Sequence, residues 1–224
     1  MKSLLPDKNF DVIPLVYLVD DDASVRKALA RRIRSAGLEV QTFASARQFL
    51  DRIPDTNNPA CLVADVRMPG LSGMDLHREL RSTNRDLPII FVTGHGDIPM
   101  SVNAMKAGAV DFLPKPVKDS DLLRAIKQAL AHADYDRVKR DELEGLRKRM
   151  EKLTARESQV MALVVKGMLN KQIAFVLGTV EKTIKVHRAR VMRKMEVNSV
   201  ADLVRITEKI GMPANQQIDD PVIG

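Results

Sequence analysis

The chain has 224 residues, 45% hydrophobic and 29% charged, which suits one large or two ordinary globular domains and excludes a disordered polymer. No run approaches the roughly 18 apolar residues of a membrane span, and Pro6, Asp7, Lys8 and Asp11 interrupt any N-terminal signal sequence. One cysteine, Cys61, excludes an intrachain disulfide, so a reducing cytoplasm is the expected compartment. The net charge of +7 is uneven: residues 153–212 carry 11 basic and five acidic side chains, whereas residues 1–133 carry 18 and 16. That C-terminal excess is the footprint of a polyanion binder, with a merely solvated basic surface as the plainer reading.

In chain order, Leu15 to Val19 reads as a strand ending in Asp20. Val25, Leu29, Ile33 and Ala36 repeat at helical spacing, and Gly37 stops that helix. Leu38 to Phe43 is a second strand, and Ser45 to Ile53 a helix closed by Pro54. Cys61 to Ala64 is a strand ending in Asp65, followed by a helix over Met74 to Leu80. Ile89 to Val92 is a strand ending in Thr93, and Ile98, Val102 and Met105 mark the next helix. Val110 to Leu113 precedes Pro114-Lys115-Pro116, and Leu122, Ile126, Ala129 and Ala133 mark a fifth helix. Five βα units whose strands are apolar on both faces predict a doubly wound α/β domain with a buried five-stranded parallel sheet. Chemistry in such sheets gathers at the strands' carboxyl ends, where Asp20, Asp65, Thr93 and Lys115 all fall.

Residues 134–152 are densely charged and read as a helical linker. From 153 onward the pattern is all helical, predicting a four-helix module. Thr154 and Glu157 form a capping box. Asn170 to Leu177 and Glu181 to Met195 flank Gly178 at helix-turn-helix spacing, and Val200 to Ile210 is the last helix. Residues 213–224 have no periodicity and are expected to be a disordered tail.

Asp20, Asp21 and Asp65 crowd like charges at strand ends, which is costly without a cation among them. Oxygen donors of this kind favour Mg²⁺. Thr93 and Lys115 supply a hydroxyl and an ammonium suited to a phosphoryl group, with Asp65 as the nucleophile that accepts it. Four segments, 19–22, 63–69 with Gly73, 92–94 and 111–116, resemble in order and spacing the receiver domain of two-component response regulators, over residues 12–133. The resemblance implies a flavodoxin-like fold with Asp65 as phosphoacceptor. It makes Asp20, Asp21, Asp65 and the backbone carbonyl of Arg67 the Mg²⁺ ligands, and Thr93, Lys115 and the switch residue Phe112 the phosphate-sensing group. Asp22 leaves the register of the ligand pair open by one residue. Residues 94–102 and 104–109 resemble the FixJ subgroup.

A phosphohydrolase is the rival: Asp20 and Asp22 also fit the Asp-x-Asp motif of haloacid-dehalogenase-like enzymes. That reading needs an acidic pair after a later strand. Only helical patterns follow Lys115, and Asp65 is left without a role.

Residues 153–212 resemble the LuxR-type helix-turn-helix domain through Leu153-Thr-Ala-Arg-Glu157, Val165-Lys-Gly167, 170–174, 182–188 and 192–194. By that resemblance Lys185, Val186 and Ala189 face bases, while Lys171, Thr183 and Arg188 hold phosphates. Lys182 lies on the same side of the recognition helix. Val180 departs from the family's Ser or Thr cap, and Thr179 is the expected substitute. Together the resemblances imply a transcription factor, not an enzyme. Its implied partners are a sensor histidine kinase, double-stranded DNA, a second copy on phosphorylation and RNA polymerase, and the phosphoryl group is lost by slow self-hydrolysis.

Overall fold

A computed structural model describes residues 13–53, 58–83, 85, 87–94 and 98–211. The expected stop at Pro54, residues 95–97 of the FixJ-like stretch and the tail at 213–224 lie outside these. The chain divides into two compact units, Met1–Val138 and Lys139–Gly224.

In the first unit, β1 (Leu15–Val19), β2 (Glu39–Phe43), β3 (Ala60–Asp65), β4 (Ile89–Thr93) and β5 (Asp111–Pro114) form one parallel sheet in the order β2-β1-β3-β4-β5. Between them run α1 (Ala23–Ser35), α2 (Ala46–Leu50), α3 (Gly73–Ser82) and α4 (Ile98–Lys106). Side chains alternate across the sheet, so each strand feeds two cores. Tyr17, Leu62 and Phe91 face a core shared with α2, α3 and α4. Val16, Leu18, Cys61, Val63 and Ile90 face the other, which α1 and the N-terminal part of α5 (Asp119–Glu151) cover.

Two sequence expectations of this unit need correction. The second strand is not buried on both faces: Glu39, Gln41 and Thr42 are exposed, because strand order puts β2 at an edge. Helix α2 ends at Leu50, with only Ala46 and Phe49 buried to hold it. The linker at 134–152 is helical as expected and runs on from the fifth helix as α5, since no Gly or Pro breaks it before Gly145, which helix geometry tolerates.

In the second unit, α6 (Ala155–Val165), α7 (Asn170–Val176), α8 (Glu181–Met195) and α9 (Val200–Lys209) enclose a core of Val160, Leu163, Ile173, Ile184, Val191, Met195 and Leu203. Gly178, at φ +61°, makes the left-handed turn between α7 and α8 that a side chain would resist. The capping box forms as expected. Thr154 Oγ1 accepts from Glu157 N–H at 3.3 Å, and Glu157 Oε2 accepts from Thr154 N–H at 2.9 Å. The same Oε2 accepts from Lys194 Nζ at 2.6 Å, and Glu157 is only 2% exposed. The Lys194 hydrogen bond, aided by the Thr154 amide, draws the Glu157 carboxyl from 4.5 down to about 2.

The N-cap of α8 is Val180, which makes no side-chain cap hydrogen bond. Val180 is 65% exposed and extended, the backbone a capping Ser needs. Val180→Ser is expected to raise stability by about 1 kcal/mol; a lower melting temperature would count against this. Glu157 has a folded pKa below its unfolded one. Its contribution is therefore complete above about pH 4.5 and is lost as the pH falls through about 2. Thermal melts should show the advantage of the parent over Glu157→Gln shrinking across that window, whereas a constant gap would refute the linkage.

Candidate functional site

A parallel sheet places every strand's carboxyl end on one edge, and the acidic cluster follows from this. Asp20 follows β1, Asp65 ends β3, Thr93 ends β4, and Lys115 follows β5. Register carries Thr93 opposite Pro114, and the Lys115 amide donates to the Thr93 carbonyl at 2.8 Å. The Lys115 ammonium therefore reaches both acids, donating to Asp20 Oδ2 at 2.8 Å and Asp65 Oδ2 at 2.7 Å. Asp20, Asp65 and Thr93 are buried, while Asp21 is exposed beside them.

The remaining carboxylate oxygens are also held. Asp65 Oδ1 accepts from Arg67 N–H at 3.2 Å, and Asp20 Oδ1 from Asp22 N–H at 2.9 Å. Burial raises the Asp20 carboxyl above its ordinary pKa, with Lys115 offsetting part of the rise. Burial disfavours the Lys115 ammonium, yet its bonds to Asp20 and Asp65 outweigh this and hold its pKa above normal. Three carboxylates against one ammonium leave a formal charge of about −2, which matches a divalent cation. Ligand oxygens of Asp20, Asp21 and Asp65 lie within 4.8 Å of one another, and all are hard donors, so the set fits a hard metal ion.

Asp22 is committed elsewhere. Its carboxylate caps α1, accepting from the Ser24 amide at 2.7 Å, the Ser24 hydroxyl at 2.6 Å and the Val25 amide at 3.2 Å. The Ser24 hydroxyl bond leads in holding its pKa below the usual range. Asp20 and Asp21, not Asp22, thus stand with Asp65. The phosphohydrolase reading loses its proposed acid/base with that placement. Phe112 is half-buried, paired in register with Phe91 and packed against the core beneath α4.

Two supporting residues escaped the sequence reading. Arg26 Nη1 donates to the Asp20 carbonyl at 2.5 Å, pinning the loop that presents both acids. Gly73 is the second. A Cβ there would collide with the Asp65 carbonyl oxygen and lie 3.2 Å from Val66 Cα. Gly73 N–H also donates to Val66 O at 3.0 Å, so α3 starts directly against the end of β3.

On α8, Ile184, Val191 and Met195 face the core. Lys182, Lys185, Val186 and Ala189 are exposed, as is Lys171 on α7, while Thr183 and Arg188 are half-buried. Lys185 pairs with Glu181 at 3.1 Å. Arg190 and Arg193, not singled out from sequence, are exposed on the same helix. Phe175, 89% exposed on α7, was also missed; helical periodicity gives no reason for it. His187 turns a buried Nδ1 inward without a hydrogen-bond partner.

Residues 16–127 match the family model for the response regulator receiver domain, and residues 151–207 the one for bacterial regulatory proteins of the luxR family. Nodulation protein W of Bradyrhizobium diazoefficiens is 49% identical over 90% of this chain and 88% of its own. Transcriptional regulatory protein FixJ of Rhizobium meliloti is 44% identical over 85% and 93%. The low-resolution structure of response regulator StyR matches with a TM-score of 0.80 at 48% identity, covering 88% of this chain and all of that one. Full-length FixJ from B. japonicum matches with a TM-score of 0.53 at 41% identity, over 88% and 97%. Among the described residues no helix is long and apolar enough to cross a membrane.

Gly73→Ala is expected to push α3 off β3, costing about 1–3 kcal/mol and lowering metal affinity at the acidic cluster. Titration with Mg²⁺ and a thermal melt would measure both; a variant matching the parent in each would mean the contact has slack.

Proposed function

The chain belongs to the FixJ-type two-component response regulators, a receiver followed by a LuxR-type DNA-binding domain, and from that premise we propose that Asp65 takes a phosphoryl group from a sensor histidine kinase. The observation that carries this is the Asp65 carboxylate held 2.7 Å from Lys115 beside Asp20 and Asp21. An Asp65 oxygen attacks the phosphorus of the kinase phosphohistidine. The O–P bond forms, the P–N bond breaks, and its electron pair stays on the imidazole nitrogen. Mg²⁺ held by Asp20, Asp21, Asp65 and the Arg67 carbonyl would neutralise charge on the phosphoryl oxygens. Lys115 then pairs with the new phosphoryl group, Thr93 turns its hydroxyl to it, and Phe112 repacks behind Thr93. The acyl phosphate is lost by slow hydrolysis.

Phosphorylation shifts an existing balance by its unequal interaction with two states. The shifted property in our reading is self-association through α4. Ile98, 81% exposed, lines up with Val102 and Met105 at i, i+4 and i+7 as an apolar stripe. A pair of receivers, spanning 12–133, then brings two DNA-binding domains, 153–212, to two half-sites through the linker at 134–152. Lys185, Val186 and Ala189 read bases, with Lys182 beside them. Lys171, Thr183 and Arg188 contact phosphates. RNA polymerase is the machinery this promoter binding serves, and the cytoplasm is where the protein works.

Intact mass after incubation with Mg²⁺ and a small acyl phosphate should show one phosphoryl adduct on the parent and none on Asp65→Asn. Light scattering on the phosphorylated parent should show a doubled mass. An adduct on Asp65→Asn that is lost in Asp20→Asn would return the phosphohydrolase reading, and an unchanged mass would remove the dimer.

A further inference from the structure

Three bases of α8 are held by partners, in two different ways. Lys185 faces Glu181 at 3.1 Å and Lys194 faces Glu157 at 2.6 Å, so a carboxylate offsets each charge. Arg188 instead donates from Nη1 to Oδ1 of Asn170 at 3.1 Å, across from α8 to α7. Both residues are half-buried, and no carboxylate among the described residues pairs with Arg188.

An amide oxygen can fix a guanidinium without neutralising it. The guanidinium is a rigid plane with five N–H donors. Asn170 uses one, which sets the plane and leaves the others, with the full charge, for a ligand. Asn170 is itself fixed. It opens α7, which is anchored by Ile173 and Ala174 in the core, and Gln172 Oε1 accepts from the Leu169 amide at 2.8 Å. An arginine already held in the free protein loses less freedom on binding than a loose one. A carboxylate in the same place would hold the side chain equally well but cancel the charge that drives counterion release from DNA.

We infer that Asn170 is a positioning residue that presents the charged face of Arg188 to a DNA phosphate. This rests on the DNA-binding reading above. The competing account is a structural link between two helices, for which any acceptor at 170 suffices.

The experiment measures affinity of the full-length chain for a mixed-sequence DNA duplex from about 50 to about 200 mM salt, with a thermal melt of each variant. Arg188→Ala should weaken binding and flatten the slope of log affinity against log salt by about 0.9. Asn170→Ala should weaken binding roughly two- to tenfold, and should do nothing further when Arg188 is already Ala. Asn170→Asp should keep the parent's melting temperature, since an acceptor remains, yet bind more weakly than Asn170→Ala. The inference fails if Asn170→Ala or Asn170→Asp binds as the parent does, or if the Asn170→Ala loss persists in full without Arg188. A parent with no salt-dependent affinity for the duplex overturns the DNA reading and this inference together; a parent that binds beside an unaffected Asn170→Ala overturns the inference alone.

Discussion

Three carboxylates meet where the strands of a parallel sheet end, and one ammonium holds two of them. Lys115 bridges Asp20 and Asp65 at 2.8 and 2.7 Å, and the arrangement of the first unit serves that contact. Asp20 and Asp65 are buried, so their charges repel strongly through a poorly polarisable interior. Lys115 reduces the repulsion without ending it. The site stays short of positive charge, which is what makes it receptive to a divalent cation. Small losses of geometry matter here, which is why the backbone carries so much of the support: Arg26 on the Asp20 carbonyl, Arg67 N–H on Asp65, and Gly73 against the Asp65 peptide.

Charge is handled oppositely in the second unit. Glu157 is buried, and its Oε2 accepts from both Lys194 and the amide of Thr154. That pair of bonds ties α6 to α8. The outward face of α8 keeps Lys182, Lys185, Arg190 and Arg193 exposed, and Arg188 is steadied by a neutral amide. Buried charge thus fixes the recognition helix, and exposed charge remains for the polyanion.

Much of this was legible in the chain. The apolar runs of β1, β3 and β4 announced a buried parallel sheet because both faces of those strands are covered. Thr154 and Glu157 announced the start of α6 because a capping box is a local device. Asp20, Asp65, Thr93 and Lys115 were found because each sits at a strand end, and the ends of parallel strands share an edge. The edge position of β2 was not legible, since strand order depends on which strands pair.

The sequence by itself determined the two-part architecture and the basic character of α8, through periodicity, local capping and the distribution of charge. It offered Asp65 as the phosphoacceptor candidate through its place at a strand end and the resemblance of the surrounding motifs to receiver domains. Only the tertiary structure decided which of three adjacent aspartates joins the cluster. Asp22 left it because the amides of Ser24 and Val25 at the start of α1 claim its carboxylate. The roles of Gly73 and Asn170 were likewise decided by contacts with Asp65 and Arg188. Such contacts depend on how helices and strands close on one another, and no spacing along the chain encodes them.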